Sequence, residues 1–389
     1  MLLTIIVFFL ILGLIVLVHE LGHFVTARRA GVKVEEFGLG LPPRALGFYK
    51  DDNGKWKPVG LKSKEAPKTI WSLNWIPLGG FVKIKGEEGG DANDPDSFGN
   101  KSIWQRIWIL SAGVSMNIIL AAVLLTIGLT IGSPQAIDED NIPAVARVSD
   151  VNIRIMEVLP DSPAATAGIE VADAIVQVDG QVLTKITDFQ NYFDSKVGQE
   201  VSLQIKRDEA IIETTVIPEI LEETERGGMG VALIEIGIVS YPWYLAPAFG
   251  VWETLKLVGN IFLGFYLVIK SLLISQELIG EVYGPVGIAS LVGDALQLGF
   301  LYLIQFTAVL SVIIAVINYL PIPALDGGRV MFLLIEKVRG KSIKPKIETA
   351  AHNIGFALLM LLVLVVTFRD ISRITNGFLG FWDKISGLL

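Results

Sequence analysis

The 389-residue chain contains no cysteine and only three histidines. The missing cysteine excludes a disulfide framework and a thiolate nucleophile. It also restricts any zinc-type site to imidazole and carboxylate ligands. Positive charge is short as well: the net charge is −8, and no basic patch suggests a nucleic-acid partner. Charged residues make up 19% of the chain against 52% apolar residues, and the mean hydropathy is +0.56. That balance excludes an ordinary soluble protein and predicts several membrane spans joined to water-soluble parts. Residues 1–18 lack the basic start and small-residue cleavage site of a signal peptide, so they read as a retained span.

Against this scarcity, two of the three histidines stand four apart around a glutamate, in His19-Glu20-Leu21-Gly22-His23. On a helix, residues i and i+4 share a face, so both imidazoles can grip one Zn²⁺. Glu20 beside them is placed to take a proton from the attacking water. The motif lies within an apolar run long enough to cross a membrane, where ionisable groups are expensive and rarely without function.

Charge sorts the apolar segments. Four read as spans: Leu2–Ala27, Ile103–Ile131, Leu301–Leu320 and Ile354–Phe368. The stretch Arg28–Ser102 carries 13 Lys/Arg and Asp326–Ala350 carries six, which places both on the cytoplasmic side. Ser133–Leu245 carries 20 acidic and seven basic residues and reads as outside. One crossing then remains between the outer region and the second basic loop. Leu301–Leu320 takes it, because Trp252–Ile274 contains Glu253, Lys256 and Lys270 and reads as an amphipathic helix in the outer interface. Hydropathy alone would make it a fifth span.

The predicted architecture is a polytopic α-helical membrane protein of about four spans. It carries a membrane-associated β-hairpin and an inserted α+β domain. Residues 1–132 form the first membrane part and 144–218 the inserted domain. A linker with the interfacial helix covers 219–299, and 300–389 form the second membrane part. Within 144–218, short strands are expected at Ile153–Val158, Ala174–Val178, Val201–Ile205 and Ile211–Val216, with a turn at Asp179-Gly180 and a short helix at Pro163–Ala167. In the inner loop, Thr69–Ile84 reads as two apolar strands around Pro77–Gly80. Its Leu78-Gly79-Gly80-Phe81-Val82 edge could accept an extended peptide, or the hairpin could simply cover helix ends. Gly86–Asn100 reads as a mobile acidic loop without chemistry.

A catalytic zinc usually has three protein ligands, so an Asp, a Glu or His352 is still needed. Asp326, in Asn318-Tyr-Leu-Pro-Ile-Pro-Ala-Leu-Asp326-Gly-Gly, is the best candidate. It follows a span, Pro321 and Pro323 break the helix, and Gly327-Gly328 permit tight turns. A lone Asp-Gly-Gly is also an ordinary turn. His352 reads better as a helix-start or interface residue.

These motifs together resemble the site-2 proteases, intramembrane zinc metalloproteases, and specifically the bacterial RseP-like branch. The resemblance rests on His19–His23, Gly79–Lys83, Phe98…Lys101…Arg106 leading to Ala112-Gly113…Asn117, Gly284–Ala289, and Asn318–Gly328. The outer domain resembles a PDZ domain in Val158–Ala164, Ala167-Gly168-Ile169, Asp173 and Gly180. It departs from it at Ala172-Asp173, where PDZ domains usually have Gly-Asp. The resemblance implies Zn²⁺ on His19, His23 and Asp326, with Glu20 as catalytic base. It implies substrate contacts from Asn318 and the Leu78–Val82 edge. It implies transmembrane protein or peptide substrates, such as membrane-tethered anti-sigma factors or remnant signal peptides. It also implies a bacterial inner-membrane location in contact with lipid, the PDZ domain outside and the active site near the cytoplasmic side. An inactive PDZ scaffold and an ion-coupled transporter are the competing classes. The first should have lost a ligand or Glu20, and the second gives His-Glu-x-x-His no role.

Overall fold

Long uncharged runs become long helices. In the computed structural model of the chain, residues 2–60, 66–87, 94–137, 142–143, 145–207, 210–221, 225–274 and 282–386 are described. The helix α1 (Leu2–Arg29) leads into a sheet of β1 (Val34–Lys50), β2 (Trp56–Pro58) and β3 (Ile70–Ile84), and α2 (Ile103–Ile131) follows. Then come β4 (Ser133–Ala136), β5 (Arg147–Val158), α3 (Pro163–Thr166), β6 (Ala174–Val178), α4 (Ile186–Ser195), β7 (Val201–Arg207), β8 (Ala210–Val216), β9 (Glu219–Leu221), β10 (Arg226–Gly228) and β11 (Val231–Ser240). The chain closes with α5 (Ala246–Ile274), α6 (Pro285–Leu298), α7 (Phe300–Asn318), α8 (Asp326–Arg339) and α9 (Pro345–Ser386). Contacts divide it into two units, Met1–Leu125 with Gly250–Leu389, and Thr126–Phe249.

In the first unit, α1 is packed at two levels. Phe8, Ile11 and Ile15 meet Val292 of α6 and Leu310 of α7. Phe24 and Ala27 meet Phe37, Ile84, Ile109, Leu110, Val330 and Leu333. His19 and His23 fall between the two clusters and are buried. Lipid supplies no hydrophobic drive between helices, so close backbone approach through small residues matters more. A methyl on Gly22 would collide with the Ala112 carbonyl of α2, and only glycine allows that contact.

Among the described residues, five helices are by length and composition able to cross a membrane: Leu2–Arg29, Ile103–Ile131, Ala246–Ser271, Phe300–Asn318 and Lys346–Arg373. The four spans expected from the sequence are among them. The fifth is α5, the segment expected to lie in the interface. Two of its three charges gather near its start, where Glu253 pairs with Lys256 at 2.7 Å and Lys256 sits 5.9 Å from the Trp252 ring centroid. Beyond them Leu257, Val258, Ile261 and Phe265 pack against Ala121, Ala308 and Val312.

The inner hairpin is a bent three-stranded sheet of order β2-β1-β3. The start of β1 lies between the two halves of β3, pairing with the second half (Leu39 with Gly80, Phe37 with Val82, Val34 with Ile84) and with the first (Phe37 with Trp71, Leu39 with Leu73), while the first half also runs along the later part of β1 (Phe48 with Trp71). Gly79, at φ 78°, makes the bend. Apolar residues dominate because one face packs on α1: the rings of Phe24, Phe37 and Trp71 lie 5.1–5.5 Å apart. The stretch expected as a loose acidic loop is tied down where it is described. Lys85 pairs with Asp94 at 2.7 Å and Asp96 at 2.8 Å, and this holds the Asp96 carboxyl below its ordinary pKa. Phe98–Asn100 forms a 3₁₀ turn, and residues 88–93 lie outside the described residues.

The second unit is a six-stranded antiparallel sheet of order β4-β11-β5-β6-β7-β8. All four expected strands, the short helix and the Asp179-Gly180 turn are present. The core holds Ile153, Ile155, Val178, Leu203 and Ile205, covered by Phe189 and Phe193 of α4, whose rings stack at 4.3 Å. The sheet reaches beyond the expected 144–218, because β11 pairs along β5 and with β4 on its other edge. Ala172 adopts φ 75°, a left-handed conformation that costs an L-residue about 1–2 kcal/mol. Next to it, Asp173 is buried and accepts from Arg207 at 2.7 and 2.8 Å. Ala172→Gly is expected to stabilise this domain by about 1 kcal/mol, after allowing for the freer unfolded chain. The check is a higher thermal midpoint of the purified protein, and a lower one would contradict the strain.

Candidate metal centre

The i, i+4 spacing on α1 does what helix geometry requires: His19 and His23 point the same way, with Nε2 atoms 3.2 Å apart. Asp326, the first residue of α8, brings Oδ2 to 3.1 Å from His19 Nε2 and 3.3 Å from His23 Nε2. The three form the one His/Asp/Glu cluster among the described residues with metal-type proximity. A tetrahedral zinc with bonds of about 2.0–2.1 Å has ligand–ligand edges of about 3.3 Å. The observed triangle of 3.1, 3.2 and 3.3 Å matches one tetrahedral face, so the residues present fit the ion.

Each imidazole is steered from α2. His23 Nδ1–H donates to the Ile109 carbonyl at 2.9 Å, which leaves the Nε2 lone pair facing Asp326. His19 Nδ1 lies 3.4 Å from the Asn117 amide nitrogen, and the buried Asn117 Oδ1 has no partner among the described residues. Exchanging the amide oxygen and nitrogen puts Oδ1 on His19 Nδ1–H and frees that Nε2 as well. The Asn117 backbone carbonyl is held by Ser311 of α7 at 2.9 Å. Between Ile109 and Asn117 lies Gly113. A methyl there would strike His23 Nε2 and come within 2.7 Å of His19 Nε2.

Asp326 arrives through a backbone arch. The helix α7 ends at Asn318, Pro321 and Pro323 prevent its continuation, and Ala324 takes φ 87°. The chain then folds back so tightly that Gly327 lies against the Tyr319 carbonyl and Gly328 against that of Ile322, where a side chain has no room.

The triangle opens on a cavity of about 790 Å³ lined by Glu20, Phe81, Val82 and Arg329 as well as the three ligand candidates. Gly80 packs beside Glu20: a methyl there would stand 3.4 Å from Glu20 Cγ. No further strand pairs with Gly80–Ile84 among the described residues, so that edge of β3 is open. Gly79 lies at the bend near Leu41, and the Leu78 side chain falls outside the described residues. Asn318, half-buried at the end of α7, is not part of the cavity wall. Three features escaped the sequence reading as site elements. They are the Ile109–Gly113–Asn117 stripe, the Arg329–Glu87 ion pair on the cavity wall, and His352 beneath the arch. An asparagine inside an apolar span was the available signal for Asn117.

Imidazole and carboxylate donors converging inside an apolar helical bundle, next to a free glutamate, define a membrane zinc metalloprotease. Known proteins agree. Residues 7–362 match the profile of peptidase family M50, and the chain belongs to that family. A Clostridium acetobutylicum protein, provisionally named a zinc metalloprotease, is 33% identical over 95% of this chain and 97% of its own length. The regulator of sigma-W protease RasP of Bacillus subtilis is 28% identical over 95% of this chain and 99% of its own. Among solved structures, the PDZ domain of an SdrC-like protein from Listeria monocytogenes is 25% identical. It covers 22% of this chain and 92% of that one, with a TM-score of 0.21.

Gly113→Ala is expected to lower zinc affinity at least about tenfold, roughly 1.4 kcal/mol, because the added methyl competes for the ligand atoms' space. Chelator competition on the purified protein measures it, and unchanged affinity would refute the close approach.

Proposed function

We propose that this metalloprotease cuts peptide bonds within or next to the transmembrane segments of single-span membrane proteins. His19, His23 and Asp326 hold the zinc, and Glu20 is the general base and acid. The observation that carries the reading is the shared cavity: the ligand triangle, Glu20 and the open Gly80–Ile84 edge face one space. Zinc, when bound, supplies Lewis acidity toward the scissile carbonyl and acidifies water toward about pKa 7. Glu20 takes the proton of the attacking water and delivers it to the leaving amine. The Leu78–Val82 edge receives the unwound substrate as an added strand. Asn318, at the end of α7 and outside the cavity wall, is assigned no contact with a substrate held in that cavity.

The name of the Bacillus subtilis relative, a regulator of sigma-W, favours membrane-tethered regulators of transcription as substrates, with remnant signal peptides as the second class. The basic loops at 28–102 and 326–350 favour an inner-membrane orientation with the metal site near the cytoplasm and the acidic PDZ-type domain outside. That domain has a cavity between Phe189, Phe193 and Gly228–Leu233, suited to a freed C-terminus or to sorting substrates by the size of their outer part.

Two experiments test this. Glu20→Gln should retain one zinc per chain and lose about 10²-fold or more of its cleavage of a co-expressed single-span substrate; persistent cleavage would remove Glu20 from the mechanism. Because the chain has no cysteine, single cysteines at positions 150 and 341 can be labelled without background. An impermeant maleimide should reach position 150 from outside and position 341 only after permeabilisation. The reverse pattern would invert the orientation.

A further inference from the structure

The arch before Asp326 contains a backbone conformation that it cannot maintain alone. Ala324, at φ 87°, is a non-glycine residue in the left-handed region, which is populated only when surroundings impose it. Accounting for its neighbours' amide protons shows what imposes it. Pro321 and Pro323 have none, Ile322 N–H bonds the Leu320 carbonyl at 2.7 Å, and Leu325 N–H bonds that of Ile322 at 3.2 Å. Only the Ala324 N–H leaves the arch, and it donates to Nδ1 of His352 on α9 at 2.8 Å.

Two further contacts make this a clamp. Gly355, one turn beyond His352 on the same face of α9, lies so close to Pro323 that a methyl would strike the Pro323 carbonyl and sit 2.9 Å from its Cβ. The His352 ring lies 5.5 Å from the Phe332 ring on α8, the helix that Asp326 begins. The third histidine therefore touches the chain both before and after the metal ligand. It is not itself a ligand, because Nδ1 is engaged and the ring is absent from the metal-type cluster. With Nδ1 accepting, the proton sits on Nε2, which is buried without a partner among the described residues. A buried donor left unmet is a standing cost, and such groups mark positions kept for a reason other than packing.

We infer that His352, with Gly355 beneath it, is a positioning residue that holds the Pro323–Ala324 peptide in its left-handed turn and thereby fixes the Asp326 carboxylate for zinc. The inference rests on the proposed ligand set.

The test uses the full-length protein purified in detergent. Zinc affinity is measured by chelator competition, alongside the thermal midpoint of the zinc-free protein. His352→Phe keeps the ring's packing on Phe332 and removes the acceptor, and it should weaken zinc binding about 10- to 100-fold. His352→Asn restores an acceptor near the Nδ1 position and should recover most of the affinity. Adding Ala324→Gly to His352→Phe should also recover it, because glycine adopts positive φ without being held there. A merely structural histidine would lower the thermal midpoint without this pattern of rescue. Wild-type zinc affinity in His352→Phe would overturn the inference, as would failure of both rescues. Asp326→Asn separates the two levels. If it loses zinc while His352→Phe does not, only the positioning role fails. If it keeps full zinc, the ligand set on which the role depends fails.

Discussion

The approach of α2 to α1 sets everything else at the metal centre. Gly22 lies on the Ala112 carbonyl and Gly113 on the two imidazoles, so the helices meet backbone to backbone at the level of the ligands. Ile109, Gly113 and Asn117 are spaced by four and form one stripe on α2. The glycine in the middle makes room for the rings, while the residues a turn to either side reach Nδ1 of His23 and of His19. In a low-dielectric bundle, a ring nitrogen facing nothing would be costly and its tautomer undetermined. The stripe removes both problems at once, and Ser311 on the Asn117 carbonyl extends the tie to α7.

The direction of α7 follows from packing rather than from a count of crossings. The helix α6 lies beside the first turns of α1, with Gly293 against Thr4, and Leu310 of α7 packs with Ile11 and Ile15. Starting after α6, α7 thus runs parallel to α1 and ends near the histidines. The meeting of Asp326 with His19 and His23 therefore holds whichever course α5 takes. Arg106 of α2 pairs with Glu336 of α8 at 2.9 Å and secures the far side of the ligand-bearing helix.

What was legible in the sequence was what is local. His19, Glu20 and His23 are fixed by helical periodicity, and the strands of the inserted domain by alternation and turn residues. Asp326 was within reach because prolines and glycines announce an arch. What escaped was non-local or carried by backbone. The Ile109 carbonyl leaves no trace in residue type. The strand β11 lies across a segment read as linker, and its pairing with β5 spans about 80 residues. His352 looked bland because its partner is a peptide N–H 28 residues away.

An open strand edge beside an apolar bundle raises a problem of its own. Backbone N–H and C=O groups facing hydrocarbon would go unmet, which is why free edges are not found in lipid. Here the edge at Gly80–Ile84 faces a cavity whose wall includes Glu20, Glu35, Lys83, Lys85, Glu87 and Arg329, a charged lining rather than a hydrocarbon one. Water can satisfy the edge until a peptide does. The same arithmetic applies to the peptide. A helical segment has its carbonyls bonded internally, and unwinding it in lipid would leave them orphaned. On the proposed function, each bond given up in a substrate helix beside this edge would have a replacement in the strand pair, and the stretch so exposed would lie within the cavity that contains Glu20 and the ligand triangle. A strand edge on a polar-lined cavity would thus make the proposed hydrolysis compatible with a site built among membrane helices.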